Sequence, residues 1–194
     1  MSKKKKKKDL FSRIASYYDK LIGDFDYHSL KEYLDLNQND ILLDIGGGTG
    51  RASKILEKEV NQCIILERSI EMLKQAKKSS KSLFLIQGLS NKIPLKNNSV
   101  NKIFLNDTIH HIREQKETID DCYYVLGKQG KLIIRDYDRS YFWNFFLILF
   151  EKILMFKSKF LTPFELEEMV KNHPFEDINI KRPNKSTFIF EATK

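Results

Sequence analysis

The sequence predicts an α/β fold, a mostly parallel sheet of seven strands with helices on both faces. Three observations predict it. Apolar runs of strand length alternate with helix-like segments five times between residues 41 and 136. A glycine cluster, Gly46-Gly47-Gly48-Thr49-Gly50, ends the first run and opens the helix after it. Two more strand-like runs close the chain on either side of Pro183-Asn184, a hairpin-like turn.

Residues 11–34 read as a helix, because Phe11, Ile14, Tyr18, Leu21 and Ile22 recur near a helical period. The turn cluster of residues 37–40 leads into a first strand at 41–45. The helix after the glycines turns Ile55 and Leu56 inward. Residues 62–67 make a second strand, and Ser69 caps a helix that runs to residue 78 with Met72 and Leu73 on its buried face. Third and fourth strands fall at 83–87 and 101–106. A helix at 113–126 precedes a fifth strand at 131–136, with Gly127 and Gly130 as turn formers between them. Residues 141–160 are rich in aromatics, and Thr162 caps another helix that begins at Pro163. Strands at 177–181 and 187–192 finish the chain. With no internal repeat and no linker, residues 11–194 read as one domain behind a basic tail at 1–10.

The 194 residues are 41% hydrophobic, enough for one sizeable core. The formal charge is +8, but Lys3 to Lys8 carry six of those charges and leave +2 on the rest. A nearly neutral body argues against a nucleic-acid binder, which spreads Lys and Arg over one face. The tail reads as a solvated, disordered extension whose charge also suits contact with anionic lipid or nucleic acid. No apolar segment follows the lysines as a secretory signal requires. The two cysteines, Cys63 and Cys122, match no redox or metal spacing and sit in apolar stretches, so packing is their expected role and no metal is expected. A cytoplasmic location follows, with peripheral contact to a membrane.

The most informative segment is Asp44-Ile45-Gly46-Gly47-Gly48-Thr49-Gly50. It lies at the carboxyl end of the first strand, where open α/β sheets bind ligands. Glycines let the backbone pass close to a ligand. Counted from Gly46 and Gly48, the third glycine of a dinucleotide fingerprint falls on Arg51, whose side chain spoils close helix–strand packing. Glu67, at the end of the second strand, is placed to accept hydrogen bonds from both ribose hydroxyls of a nucleoside.

The spacing Asp-x-Gly-x-Gly-x-Gly resembles the first motif of class I S-adenosylmethionine-dependent methyltransferases. Arg68-Ser69-Ile70-Glu71-Met72-Leu73 is similar to the family's stretch after the ribose acid, and Gln87-Gly88-Leu89-Ser90 to its segment after strand three. Asn106-Asp107-Thr108-Ile109-His110-His111-Ile112 and Tyr124-Val125-Leu126-Gly127-Lys128-Gln129-Gly130 resemble later family segments, so the likeness runs from about residue 41 to 136. It is nearest to the broad group that includes ubiquinone and menaquinone methyltransferases, whose N-terminal helix Phe11-Ser12-Arg13-Ile14-Ala15-Ser16-Tyr17-Tyr18-Asp19 also resembles. The resemblance implies a Rossmann-like sheet with its last strand antiparallel, and S-adenosyl-L-methionine as cofactor. It implies cofactor-binding roles for Tyr18, Asp44, Gly46, Gly47, Gly48, Gly50, Glu67, Arg68, Leu89, Ser90 and Asn106. There is one departure. The family often has an acid on the adenine amino group where this chain has Leu89, which packs on the ring but accepts no hydrogen bond.

The cofactor's sulfonium already activates its methyl group, so alignment of the acceptor is the enzyme's main task. Where the acceptor must lose a proton, His110 is the candidate base, with His111 and Asp107 behind it. No Asp-Pro-Pro-Tyr-like motif for nucleobase amino groups is present, and no cysteine is placed for covalent methylation. Residues 141–150 are apolar on every face of a helix but too short to span a membrane. They read as a lid or interfacial helix around an apolar acceptor that is quinone-, lipid- or isoprenoid-like. Two rival readings are kept: RNA or protein as the acceptor, resting on the lysine tail, and a catalytically inactive cofactor-binding scaffold, resting on Leu89.

Overall fold

The computed structural model describes residue 30, residues 33–153 and residues 158–194. The expected basic tail, most of the 11–34 helix and Tyr18 lie outside the described residues. Seven strands form one sheet: β1 (Ile41–Ile45), β2 (Gln62–Glu67), β3 (Phe84–Gln87), β4 (Val100–Asn106), β5 (Leu126–Tyr137), β6 (Glu176–Lys181) and β7 (Thr187–Thr193). Their order is β3-β2-β1-β4-β5-β7-β6. Pairing is parallel from β3 across to β5, while β7 runs antiparallel to both β5 and β6. The last strand is therefore the reversed one, as expected.

The central strands bury both faces. Consecutive strand residues point to opposite sides, and here both sides are core. Leu43, Ile45, Ile64, Leu66, Ile103, Leu105, Leu132 and Ile134 join one cluster. Leu42, Cys63, Ile65, Phe104 and Ile133 join the other. That is why these strands read in sequence as unbroken apolar runs. Helices α3 (Gln115–Val125) and α5 (Pro163–Val170) cover the first face through Ile119, Cys122, Val125, Leu166 and Val170. Helices α1 (Ser53–Leu56) and α2 (Ile70–Ser79) cover the second through Leu56, Leu73 and Ala76, joined by Leu30 and Leu34. Both cysteines are buried packing residues. Two caps form as the sequence requires. Ser69 Oγ accepts from the Met72 amide, and Thr162 and Glu165 make a reciprocal capping box with Pro163 at the first turn.

One expectation needs correction. Gly127 and Gly130 do not precede β5 but lie within it, because α3 passes directly into the strand at Leu126. Pairing jumps from Val100–Leu126 to Lys102–Lys131, so the glycine-containing stretch bulges out of the ladder. Gln129 has φ 60° there, and its amide is bonded by the carbonyl of Lys194.

Strand order reverses direction between β1 and β4. The chain builds outward from β1 through β2 and β3, then crosses to the other side of β1 to lay down β4 and β5. Such a switch point leaves a crevice at the carboxyl ends of the two central strands. The candidate site lies there.

Candidate active site

The glycine segment leaves β1 in a left-handed conformation that other residues adopt only at a cost. Gly46, Gly48 and Gly50 have φ of 73°, 57° and 79°. A Cβ on Gly46 would lie 2.3 Å from Thr108 Cγ2, so the loop is pressed against the turn that follows β4. At Gly48 the same added atom would meet only the Gly46 carbonyl, 3.8 Å away, so the tip of the loop is open. Backbone drawn in on one side and open on the other suits close approach by a ligand.

Asp44 is buried just below this loop and accepts from Ser53 Oγ at 2.5 Å. Burial pushes its carboxyl up to about 6, against the lowering effect of the Ser53 bond. It ties the strand to the start of α1, so it shapes the loop from beneath. Glu67 is one strand over. Ile45 pairs with Leu66, and the Gly46 amide donates to the Leu66 carbonyl at 2.7 Å, so Gly46 and Glu67 leave the sheet side by side. Glu67 Oε1 also accepts from the Ser69 amide at 2.8 Å, which fixes the carboxylate at the head of α2. Arg68 beside it is exposed.

The other candidates line the same edge. The Gly88 amide is bonded to the Glu67 carbonyl. Leu89 is 55% exposed, so it is not a core residue. Ser90 Oγ lies 2.9 Å from Thr118 Oγ1. Asn106 closes β4 and accepts from Arg135, which also pairs with Asp107 at 2.6 Å. An open glycine cradle with a carboxylate on the next strand is an arrangement that an adenosine cofactor would fit.

His110 does not have the setting that a general base requires. It is 2% exposed on a short 3-10 turn, Ile109–His111, and stacks on Phe160 with ring centroids 4.3 Å apart. Nδ1 lies 2.6 Å from Asp136 Oδ1, and Nε2 faces His111 Nε2 at 3.1 Å. A base must reach the proton it takes, and both nitrogens of this ring already face protein partners. Burial alone would depress its pKa, but Asp136 and Glu151 outweigh burial and push it up to about 9. His111, buried beside that charge, is pushed down to about 4. Burial opposes ionisation of Glu151, but His110, Ser158 and His111 around it hold its carboxyl below the usual range.

Glu151 and Asp136 are site residues that the motif reading missed. Asp136 sits near the end of β5, a position where an acid is a detectable signal. Glu151 belongs to α4 (Asn144–Ile153), far along the chain, and only packing brings it to the histidines. Asn144 pins the start of α4 by donating to the Asp138 and Ser186 carbonyls. Most of the remaining surface of this segment faces outward: Phe142 is 70% exposed and Trp143 63%, with Phe145, Phe146, Phe150 and Ile153 also exposed.

Known proteins share this architecture. A methyltransferase-domain family model matches residues 43–134. The ubiquinone/menaquinone biosynthesis C-methyltransferase of Wigglesworthia glossinidia brevipalpis is 26% identical over 150 residues, which is 69% of this chain and 60% of that protein. A malonyl-[acyl-carrier protein] O-methyltransferase of a Marinomonas species is 30% identical over 131 residues, 63% of this chain and 48% of that one. The matched part thus spans less than two thirds of either curated relative. A solved S-adenosylmethionine-dependent methyltransferase of Thermotoga maritima superposes with a TM-score of 0.79 at 24% identity, covering 95% of this chain and 97% of its own. By its sheet order, the glycine cradle at its switch point and these matches, the chain is similar to the class I S-adenosylmethionine-dependent methyltransferases, and the family model covers a little under half of it.

Proposed function

We propose that this chain methylates a small apolar or amphipathic acceptor of quinone-, lipid- or isoprenoid-like character. One observation carries the reading: the open glycine cradle beside Glu67 shares its sheet edge with an exposed aromatic helix. Glu151 of α4 reaches the histidines at the carboxyl ends of β4 and β5, which brings α4 to that edge while its aromatic residues turn outward. The quinone-methylating relative supports an acceptor of this kind.

When bound, the cofactor supplies a methyl group already activated by its sulfonium. The chain's part is to bind and align. In this proposal Glu67 accepts from the ribose hydroxyls and the glycines admit the cofactor. Leu89 packs on the adenine while the Ser90 amide bonds it. Asn106 and Arg68 flank the crevice, and Tyr18 approaches the methionine end. Asp44 holds the loop's shape through Ser53. His110 and its partners build the wall on the acceptor side rather than removing a proton, and orientation by such walls is worth ~7–11 kcal/mol in well-aligned reactions.

Calorimetry with the purified protein tests the cofactor half of the proposal. Saturable binding of S-adenosylmethionine or its demethylated product is expected, with no comparable response to NAD. Tight NAD binding without a response to either methyl cofactor overturns it. Incubation with labelled cofactor and quinone-like or lipid acceptors tests the rest. Cofactor binding with transfer to no acceptor favours the inactive scaffold.

Leu89→Asp is expected to tighten cofactor binding by up to about tenfold. It restores one hydrogen bond, worth ~0.5–1.5 kcal/mol, at an exposed position where a carboxylate costs little to place. Weaker binding in this variant means that the loop is not at the adenine.

The aromatic face gives a further expectation. Contiguous exposed apolar patches mark partner or ligand surfaces. Among the described residues no helix is long and apolar enough to cross a membrane, so the proposed mode is peripheral. The protein is expected to sediment with anionic vesicles at low salt. Removing residues 1–10 should weaken binding by ~1 kcal/mol per lysine near the surface. Changing Trp143 and Phe146 to Ser should weaken it again, through lost burial. Protein that stays in the supernatant at low salt rules out the membrane surface and leaves the aromatics as a lid over the acceptor.

A further inference from the structure

We propose that His110, His111 and Glu151 form a binding site for one divalent transition-metal ion of the zinc class. The donor atoms already stand where such an ion needs them. His110 Nε2 and His111 Nε2 are 3.1 Å apart, and Glu151 Oε1 lies 3.6 Å from the first and 4.0 Å from the second. The point equidistant from all three is about 2.1 Å from each, inside the zinc–nitrogen and zinc–oxygen range of about 2.0–2.2 Å. A small displacement of the ion out of their plane leaves a fourth, tetrahedral position for water or an acceptor oxygen. Two imidazoles and a carboxylate suit zinc, cobalt or iron rather than magnesium or calcium.

The surroundings match a ligand set better than a hydrogen-bonded cluster. Metal-bound histidines hold their second nitrogen on an oxygen partner, and both do so here. Asp136 Oδ1 lies 2.6 Å from His110 Nδ1, and Ser158 Oγ lies 3.0 Å from His111 Nδ1. Asp136 is itself fixed, accepting from the amides of His110 and Tyr137. Without an ion the Glu151 carboxylate is the poorly served group. Glu151 Oε1 is too far from either ring for a good hydrogen bond, and Glu151 Oε2 is buried with no hydrogen-bond partner among the described residues. Two carboxylates, Asp136 and Glu151, flank the histidine pair. A cation at the common point satisfies the facing nitrogens and Glu151 Oε1 together, and it ties α4 to the turn after β4.

The test uses the whole protein, stripped with chelator and titrated with Co2+ as a visible-absorption probe. One Co2+ per chain is expected, with the absorption bands of a four-coordinate N/O site, displaced by Zn2+. Changing a residue that orients a ligand costs about 10–100-fold, so Asp136→Asn should fall in about that range. His111→Ala and Glu151→Gln, which remove a ligand, should each weaken binding by ~100-fold or more. His173→Ala should leave it unchanged, because His173 is bonded to Asp120 elsewhere. Circular dichroism checks folding. Should His111→Ala unfold, Glu151→Gln still decides, since it preserves shape at a partly exposed helix position. Failure to reach one ion per chain overturns the site, as does binding that survives loss of the Glu151 carboxylate. The readout is metal binding, so it stands apart from the outcome of any methyl-transfer assay.

Discussion

Glu67→Ala is expected to weaken S-adenosylmethionine binding by ~100-fold or more. The carboxylate is proposed to accept two ribose hydroxyls, and hydrogen bonds to a charged group are worth ~1.5–3 kcal/mol each. A combined loss of about 3 kcal/mol or more corresponds to a hundredfold or greater change in affinity. The change also frees the Ser69 amide that Glu67 Oε1 now accepts, which loosens the head of α2 and adds to the loss. Asp107→Ala is the internal control. Asp107 lies on the same edge but spends its carboxylate on Arg135 at 2.6 Å, so its removal should change affinity by less than about tenfold. Calorimetry on both variants separates the cases, and equal affinities would count against the ribose assignment. Glu67→Gln should fall between them, because an amide oxygen can keep one acceptor contact but not the charge.

Gly46→Ala is expected to cost about 2–5 kcal/mol of stability. The left-handed φ of 73° adds ~1–2 kcal/mol for any residue with a Cβ. Overpacking adds ~1–3 kcal/mol, since the new methyl would lie 2.3 Å from Thr108 Cγ2 and 2.9 Å from its Oγ1. Chemical denaturation should show a lower midpoint at unchanged slope, and whatever protein remains folded should bind cofactor poorly. The clash part is separable. Thr108→Ala removes the two nearest atoms that the methyl meets and leaves Cβ at 3.2 Å, so the double variant should recover most of the overpacking share while the backbone share stays lost. If Thr108→Ala gives no rescue, the loop and the turn after β4 are not in contact, and the cradle has a different shape.

The features legible in the sequence are those that depend on near neighbours. The five-fold alternation marks β1 to β5 because a strand buried on both faces must be apolar without a break. The Ser69 and Thr162 caps are read from residues two or three positions away. The glycine spacing and Glu67 mark the candidate cofactor edge because a strand-to-helix turn and a strand end are local events. The bulge within β5 was not legible, because Gly127 and Gly130 look the same in a turn and in a bulge. The C-terminal Lys194 carbonyl that bonds Gln129 is remote in sequence.

The sequence by itself determined the layered α/β fold, its reversed last strand and the place of the glycine cradle. Their causes, period, turn chemistry and strand-end position, act over a few residues. Only the tertiary structure decided the chemistry of the histidines. His110 reads as a base from its motif, but Asp136, 26 positions on, and Ser158, 47 positions beyond His111, lie against the two Nδ1 atoms and orient both rings. Packing likewise decided that Leu89 and the α4 aromatics stay exposed. A side chain's burial, partners and proton affinity are set by what the folded chain brings against it, and residues that far apart meet only after β5 has paired and α4 has folded back over the sheet edge.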